Sequence, residues 1–159
     1  MIDVIVESAA WNEAVLTRLA KAASEATLAH LGLDPAHYEI ALLACDDARI
    51  AELNADFREK PTATNVLSWP SAERASGEEG GQPHAPEDDE LGDIAIAFET
   101  CAREAKAQSK GFETHSHLLV HGILHLLGYD HINDADAALM EQLEREILAT
   151  LGIADPYDV

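Results

Sequence analysis

The sequence predicts a single α+β domain in which a small four-stranded, mostly mixed sheet packs with about five helices. Short segments of alternating apolar and polar residues are interleaved with longer segments whose apolar residues recur every three or four positions. The C-terminal third is helical in pattern, which favours α+β over a regular βαβ repeat. The 159 residues contain no internal repeat and suffice for one core, so the range 1–159 is expected to form one domain.

The first quarter of the chain is predicted as strand, helix, strand. Residues 2–7 carry apolar side chains at every second position, as a half-buried strand does. A helix follows over roughly 11–31, with Ser8 as its N-terminal cap and Gly32 at its end. Residues 37–44 alternate again and give the second strand.

The middle of the chain continues the same alternation. A helix opens at Asp46-Asp47 and places three apolar residues on one face, namely Ile50, Leu53 and Phe57. Residues 66–69 lie between prolines and suit a short edge strand, and 91–97 form the fourth strand. Three helices complete the chain, over roughly 98–110, 113–128 and 134–151.

Charge is concentrated between the third and fourth strands. The chain has a net charge of −20, which argues against nonspecific binding of polyanions. Residues 71–90 are rich in Gly, Pro and acidic residues, with Arg74 as their one basic residue, and are interpreted as a mobile acidic loop. Arg58 and Lys60 lie together elsewhere, so a local positive site remains compatible with the acidic total.

Composition also bears on location. The start of the chain lacks the basic and apolar regions of a secretory signal, and no apolar run approaches the roughly 20 residues of a membrane span. Two cysteines, Cys45 and Cys101, are too few for a disulfide framework and are interpreted as small buried residues. The sequence therefore favours a reduced, cytoplasmic setting without membrane contact.

Three histidines have the spacing of a metal site at the end of a helix. His121 and His125 are four residues apart, one turn along a helix, where two imidazoles can chelate one ion. His131 would lie roughly 9 Å further along if the helix continued, at about 1.5 Å per residue. Gly128 can end the helix in a left-handed conformation and bring His131 back to the same ion.

This ligand set suits zinc in a catalytic role. Three neutral histidines leave a fourth position for water, whereas a structural zinc site is normally closed by four protein ligands. His117 lies one turn before His121 and is open to three interpretations: a fourth ligand, a partner that hydrogen-bonds a ligand, or a packing residue. The last two are favoured.

The spacing H-x-x-x-H-x-x-G-x-x-H is that of metzincin proteases with one difference. Their catalytic glutamate follows the first histidine, where this chain has Gly122. Peptide hydrolysis by that route lacks its proton acceptor. Zinc also stabilises charge on phosphoryl oxygens, so phosphodiesters are a natural alternative substrate.

Residues 115–131 resemble the signature of the bacterial YbeY family, single-strand-specific zinc endoribonucleases that mature ribosomal RNA. The resemblance is most specific in His-Gly-x-Leu-His-Leu-x-Gly-Tyr-Asp-His, and it covers about the C-terminal two-thirds of the chain. Further matching segments are Leu53-Asn54, Phe57-Arg58, residues 64–68 and 91–94, and Asp155-Pro156-Tyr157. The acidic segment 71–90 is longer than the family pattern leads one to expect.

The resemblance implies that His121, His125 and His131 hold one zinc ion and that Arg58 acts in catalysis beside it. It also implies a cytoplasmic protein that cleaves single-stranded RNA, in maturation of the 16S rRNA 3′ end and in ribosome quality control, together with the ribosome or small-subunit assembly proteins. Spacing alone gives Arg58 a simpler role, because a cation near a helix C-terminus is favoured by the helix dipole.

Three functions of different classes remain open at this stage. The first is the zinc endoribonuclease. The second is a zinc hydrolase of another substrate, and the third is a ribosome-assembly factor whose zinc is structural. Asp93 and Asp130 are candidates for a general base only because they lie within the matching segments.

Overall fold

The computed structural model describes residues 1–157, without the side chain of Phe112; residues 158 and 159 of the predicted domain lie outside the described part. Residues 1–157 form four strands and five helices, and the last three helices follow one another. In chain order, the elements are β1 (Ile2–Val6), α1 (Glu13–His30), β2 (Glu39–Cys45), α2 (Asp47–Arg58), β3 (Val66–Pro70), β4 (Glu90–Ala97), α3 (Phe98–Ala107), α4 (Phe112–Leu126) and α5 (Asp134–Thr150). The predicted α+β class is confirmed.

The strands form one mixed sheet in the order β1-β2-β4-β3. The pairs β1·β2 and β2·β4 are parallel, and β3 runs antiparallel to β4 at the edge. The edge position suits β3, since Pro70 has no N–H to donate to a neighbouring strand. The prediction of a short edge strand is therefore confirmed.

Helix α4 is the central element of the core. Leu119, Val120, Ile123 and Leu124 are fully buried, and they pack in one cluster with Ile94 of the sheet. Gly122 faces β3 at close range: its carbonyl accepts a hydrogen bond from Ser68 Oγ at 3.2 Å. The core thus fixes the helix that carries the first two histidines.

One predicted detail is wrong, the cap of the first helix. Asn12, not Ser8, caps α1, because Asn12 immediately precedes the first helical residue and its side chain accepts from Val15 N at 3.1 Å. Phe57 does not share the buried environment of Ile50: it is 63% exposed. Phe57 lies in the last turn of α2 and contacts the Trp69 ring, with ring centroids 5.1 Å apart.

The acidic segment 71–90 has no helix and joins the sheet only at Glu90. It has a buried anchor that its composition does not suggest. The Arg74 side chain is 5% exposed and donates to Leu126 O at 2.8 Å, to Leu91 O at 3.2 Å and to Ser71 Oγ at 2.8 Å. These bonds tie the start of the segment to the C-terminal end of α4.

Both cysteines are buried, as predicted. Burial raises the pKa of each thiol to about 12, which keeps it protonated and unreactive. No helix within residues 1–157 has the length and apolarity that a membrane span requires.

Candidate metal centre

Helix α4 holds His121 and His125 one turn apart and facing each other. Their Nε2 atoms are 3.0 Å apart, and their ring centroids are 4.5 Å apart. The opposite ring nitrogens are engaged elsewhere. His121 Nδ1 lies 2.6 Å from Glu144 Oε1, and His125 Nδ1 lies 2.9 Å from the carbonyl of Tyr129. These bonds assign the Nδ1 protons and leave both Nε2 atoms free to bind a cation.

The chain turns back at Gly128, as predicted. Gly128 has φ +103°, its N–H donates to His125 O at 3.0 Å, and the N–H of Tyr129 donates to Leu124 O at 3.0 Å. This pair of bonds is a Schellman motif with glycine in the left-handed position. It satisfies carbonyls at the end of α4 and redirects the chain toward His131.

The turn brings His131 to the other two histidines. Its ring centroid lies 5.4 Å from that of His121 and 5.1 Å from that of His125. One nitrogen from each ring belongs to a group whose atoms all lie within 4.8 Å of one another. The structure therefore assembles the three histidines that the sequence singled out.

These side chains fit a zinc ion. Nitrogen ligands at about 2.0–2.1 Å in a tetrahedral arrangement lie roughly 3.3 Å from each other, close to the 3.0 Å between the Nε2 atoms of His121 and His125. Burial, with the nearby His121 as a second cause, lowers the pKa of His125 to about 4, so this imidazole is in its neutral, metal-binding form at neutral pH. His131 is exposed, which leaves solvent and substrate a way to the open side.

Glu144 is a functional residue that the sequence interpretation missed. It is fully buried on α5 and accepts hydrogen bonds from His121, from His117 Nε2 at 3.0 Å and from the hydroxyl of Tyr157. Burial alone would raise the pKa of this carboxyl group, but the bonds from the two histidines and the tyrosine lower it to about 2. Glu144 is therefore a buried carboxylate that orients His121.

The sequence contains a signal for this residue. Glu144 lies four positions after Met140 and four before Leu148, both of which are buried. A carboxylate within the apolar stripe of a helix needs a partner inside the protein. A second partner, His117, is the residue whose role the spacing left open.

His117, His121 and Glu144 form a second group whose donor atoms lie within 4.8 Å of one another. We interpret this group as hydrogen-bonded support rather than a second metal site. Every short contact in it joins a ring nitrogen to a carboxylate oxygen, and Tyr157 adds a further donor to the same carboxylate. His117 is thus a hydrogen-bond partner of Glu144 and is not itself a proposed metal ligand.

Arg58 lies in the same cleft as His125. It ends α2 with an exposed side chain, and it lines a cleft of about 330 Å³ together with His125, Ser68 and Asp130. Residues 73–75 of the acidic segment form another wall. Among residues 1–157, no carboxylate lies within 4.0 Å of the Arg58 guanidinium, so this cation is available to an anionic ligand.

The two candidate bases are separated by the fold. Asp130 lines the cleft and accepts from the backbone N–H of His131 at 2.7 Å. Asp93 lines a different groove, with Trp69 and Leu43. Of the two candidate bases, Asp130 is therefore the one that shares a cleft with His125.

The chain is similar to a family of known enzymes over nearly its whole length. A family model described as Endoribonuclease YbeY matches residues 2–152. This match extends through the first 50 residues, where the sequence motifs are weak.

Individual proteins show the same similarity. An endoribonuclease YbeY of Ruegeria pomeroyi is 58% identical over 98% of this chain and 97% of its own length. One of Ruegeria sp. (strain TM1040) is 56% identical over 99% and 96%. The solution structure of TM1509 from Thermotoga maritima aligns over the full length of both chains with a TM-score of 0.58 at 20% identity, which supports the fold alone.

Proposed function

The chain belongs to the endoribonuclease YbeY family, and from this membership we propose that it is a zinc-dependent endoribonuclease that hydrolyses phosphodiester bonds in single-stranded RNA. The observation that carries the proposal is the convergence of His121, His125 and His131, together with the unpaired Arg58 in the cleft that His125 lines. The family resemblance adds the cellular setting: maturation of the 16S rRNA 3′ end and ribosome quality control, in the cytoplasm, with the ribosome or small-subunit assembly proteins as partners.

Each residue of the site has a distinct role in the proposed reaction. The ring nitrogens of His121, His125 and His131 hold the ion, with Glu144 and the Tyr129 carbonyl fixing the Nδ1 protons. When bound, zinc supplies a Lewis acid that stabilises negative charge on a phosphoryl oxygen. Arg58 offers two parallel N–H donors to a phosphate and offsets the charge that develops on it.

Gly122 separates this site from the protease pattern. A side chain at this position would face Ser68 Oγ and Ile94 at 3.2–3.3 Å from its Cβ, so the helix has no room there for a glutamate. The site therefore lacks the proton acceptor of a metzincin, in agreement with a substrate other than a peptide. Asp130 is the acidic residue of the cleft that we propose for proton transfer.

The proposal is tested by incubating purified protein with an unstructured RNA and a hairpin RNA of equal length. Cleavage of the unstructured RNA should disappear on chelation and return with added zinc. Elemental analysis should give one zinc per chain, and His131→Ala should lose it. Cleavage that continues in the metal-free protein would exclude a metal-dependent nuclease, and zinc-dependent hydrolysis of peptides without RNA cleavage would favour a hydrolase of another substrate.

A further inference from the structure

The sheet face opposite α4 carries an apolar groove outside the metal centre. The groove has a volume of about 430 Å³, and its walls include Leu43, Leu53, Phe57 and Trp69. Phe57 and Trp69 meet edge to face at its end near β3, with ring planes at 61°. Phe57 is 63% exposed, although phenylalanine is among the residue types that are most often buried. We call Phe57 and Trp69 the aromatic pair.

The aromatic pair is next to the metal cleft along two chain segments. Ser68 and Pro70 line the cleft, while Trp69 between them points to the other face of β3, as alternate residues of a strand do. Likewise Phe57 lies in the groove and the next residue, Arg58, lies in the cleft. Only the edge strand separates the two, so a flexible ligand chain at Arg58 can pass over that edge onto the aromatic rings.

Charged residues are distributed unevenly around the groove. At the end of α2, Arg58 and Lys60 are exposed, and neither forms an ion pair within residues 1–157. On the β4 side of Trp69, its cross-strand partner Asp93 lines the groove, and a neighbouring depression that Trp69 also lines contains Asp3 and Glu39. An anionic backbone is therefore attracted to the α2 end beside Phe57 and repelled from the β4 side, where an uncharged group can still contact the rings.

We propose that the aromatic pair is a stacking site for one unpaired base of the RNA substrate, adjacent to the phosphate held by Arg58. This inference rests on the proposed function and extends it to substrate recognition. A base presents a flat π-face of any sequence to an aromatic ring, and a base is free to do so only when it is not stacked within a duplex. The site thereby gives a physical basis for single-strand specificity without reading the sequence.

The natural tryptophans provide a direct probe. The chain has two: Trp11 is 7% exposed and packed in the core, whereas Trp69 belongs to the aromatic pair. Zinc-loaded protein is titrated with an unstructured 2′-O-methyl oligonucleotide, whose integrity is checked after the titration, and with an abasic oligonucleotide of equal length and charge. We expect the first to quench Trp69 emission and the second to leave it unchanged while binding about tenfold more weakly.

Variants test the site by a second route. Phe57→Leu keeps an apolar side chain and should keep the melting temperature, but it should weaken binding of the base-bearing oligonucleotide about tenfold and leave the abasic one unaffected. The matched control is Ile5→Thr, which changes an exposed apolar residue that lines the same groove at the opposite edge of the sheet and is not part of the aromatic pair. Ile5→Thr should bind both oligonucleotides like the natural protein.

The outcomes separate this inference from the proposed function. If the natural protein cleaves RNA but Phe57→Leu binds base-bearing and abasic oligonucleotides unchanged, the stacking site is wrong and the nuclease stands. An equal loss of binding affinity for both oligonucleotides would mean that Phe57 only positions Arg58. This result would also overturn the stacking site. If Phe57→Leu and Ile5→Thr instead abolish self-association seen by sedimentation, the groove is an interface between two copies of the chain.

Discussion

The guanidinium of Arg58 is exposed in a strongly acidic protein, yet no carboxylate of residues 1–157 neutralises it. A cation that only caps α2 would contribute at most about 1 kcal/mol of stability and nothing to catalysis. We expect Arg58→Ala to keep its fold and zinc content while RNA cleavage falls about 10²–10³-fold, the usual cost of losing a donor to a transition-state oxyanion.

Arg58→Lys should restore only part of the rate, because an ammonium keeps the charge but loses the two parallel donors. Arg18→Ala, which removes an exposed arginine on α1, serves as the control for net charge. Cleavage at the natural rate by zinc-loaded Arg58→Ala would remove this residue from the active site.

In the proposed site, Glu144 would affect metal binding through its contact with His121. Glu144→Gln keeps the size of the side chain but removes the negative charge that its three donors share. Loss of a buried partner of this kind typically lowers metal affinity 10–100-fold. Zinc affinity from competition with a chromophoric chelator should fall by that factor in Glu144→Gln and stay constant in Glu25→Gln, on the surface of α1. Equal affinities would leave Glu144 with a packing role.

At the scale of single elements, α4 and its terminal turn contain two glycines with different constraints. At Gly128 the left-handed backbone strains any β-branched residue by about 1–3 kcal/mol, and a Cβ would lie 2.7–2.9 Å from Arg74. At Gly122 spacing alone predicts that alanine is neutral or favourable. The structure corrects this, since a Cβ there would lie 3.2 Å from Ser68 Oγ and 3.3 Å from Ile94.

Despite this correction, the substitution at Gly128 is still expected to be the more damaging of the two. Gly128→Val should lose more zinc affinity than Gly122→Ala, because it disrupts the turn that positions His131, whereas Gly122→Ala requires shifts of a few tenths of an ångström. Zinc titration and thermal unfolding of both variants provide the measurement. A Gly122→Ala variant with the weaker zinc affinity would contradict this account of the turn.

Helix α3 has no side-chain cap of its own at Ala97, and α2 supplies one. Asp47 Oδ1 accepts from the backbone N–H of Thr100 at 3.0 Å and from its hydroxyl at 2.8 Å. Partial burial opposes ionisation of Asp47, but the bonds from Thr100 and then Arg103 outweigh it and hold the pKa below the usual 3.8. The ionised carboxylate therefore favours the folded state.

This contribution is present above pH 3.8, the value in the unfolded chain, and is lost as the pH falls through the lower folded pKa. We expect Asp47→Ala to cost about 1 kcal/mol in urea unfolding at neutral pH. The difference from the natural protein should shrink at a pH below the folded value. A difference that is constant with pH would mean that the side chain acts by packing rather than by charge.

Periodicity predicted every strand and helix, because each buries one face against a common core. It placed the first cap at Ser8 instead of Asn12, because both residue types are good caps and periodicity locates the start of a helix only to within a few residues. Within the site, the limit is set by contacts between segments that are distant in sequence. His121, His125 and His131 follow from local spacing, whereas Glu144 and Arg74 gain their roles only when α5 and the acidic segment pack against α4.

At the scale of the whole molecule, the acidic segment combines an electrostatic barrier with a structural anchor. Composition alone predicts that residues 71–90 are dispensable for folding and restrain RNA binding. We now expect this only for the part beyond Arg74. Replacing residues 76–88 with a short Gly-Ser linker should leave the melting temperature unchanged and tighten binding of single-stranded RNA at low salt, since four acidic residues are removed.

Arg74→Met is the contrasting variant. It leaves the Leu126 carbonyl without its buried donor, at about 1–3 kcal/mol for an unsatisfied group, whereas the Leu91 carbonyl keeps the N–H of Ser71. Thermal unfolding should show the loss for Arg74→Met and none for the linker variant. Weaker RNA binding by the linker variant would mean that the acidic segment contacts the substrate directly.

The hydrogen bond from Tyr157 to Glu144 has a consequence for protein synthesis. Translation proceeds from the N-terminus, and early parts of a chain fold as they emerge. All four strands have been synthesised once Ala97 has been made, but the support of His121 waits for Glu144 and then for Tyr157, close to the end of the described chain. A nascent chain thus contains every strand well before the residues that support His121, so we expect an incomplete polypeptide on the ribosome to lack the finished histidine site that we propose for the nuclease.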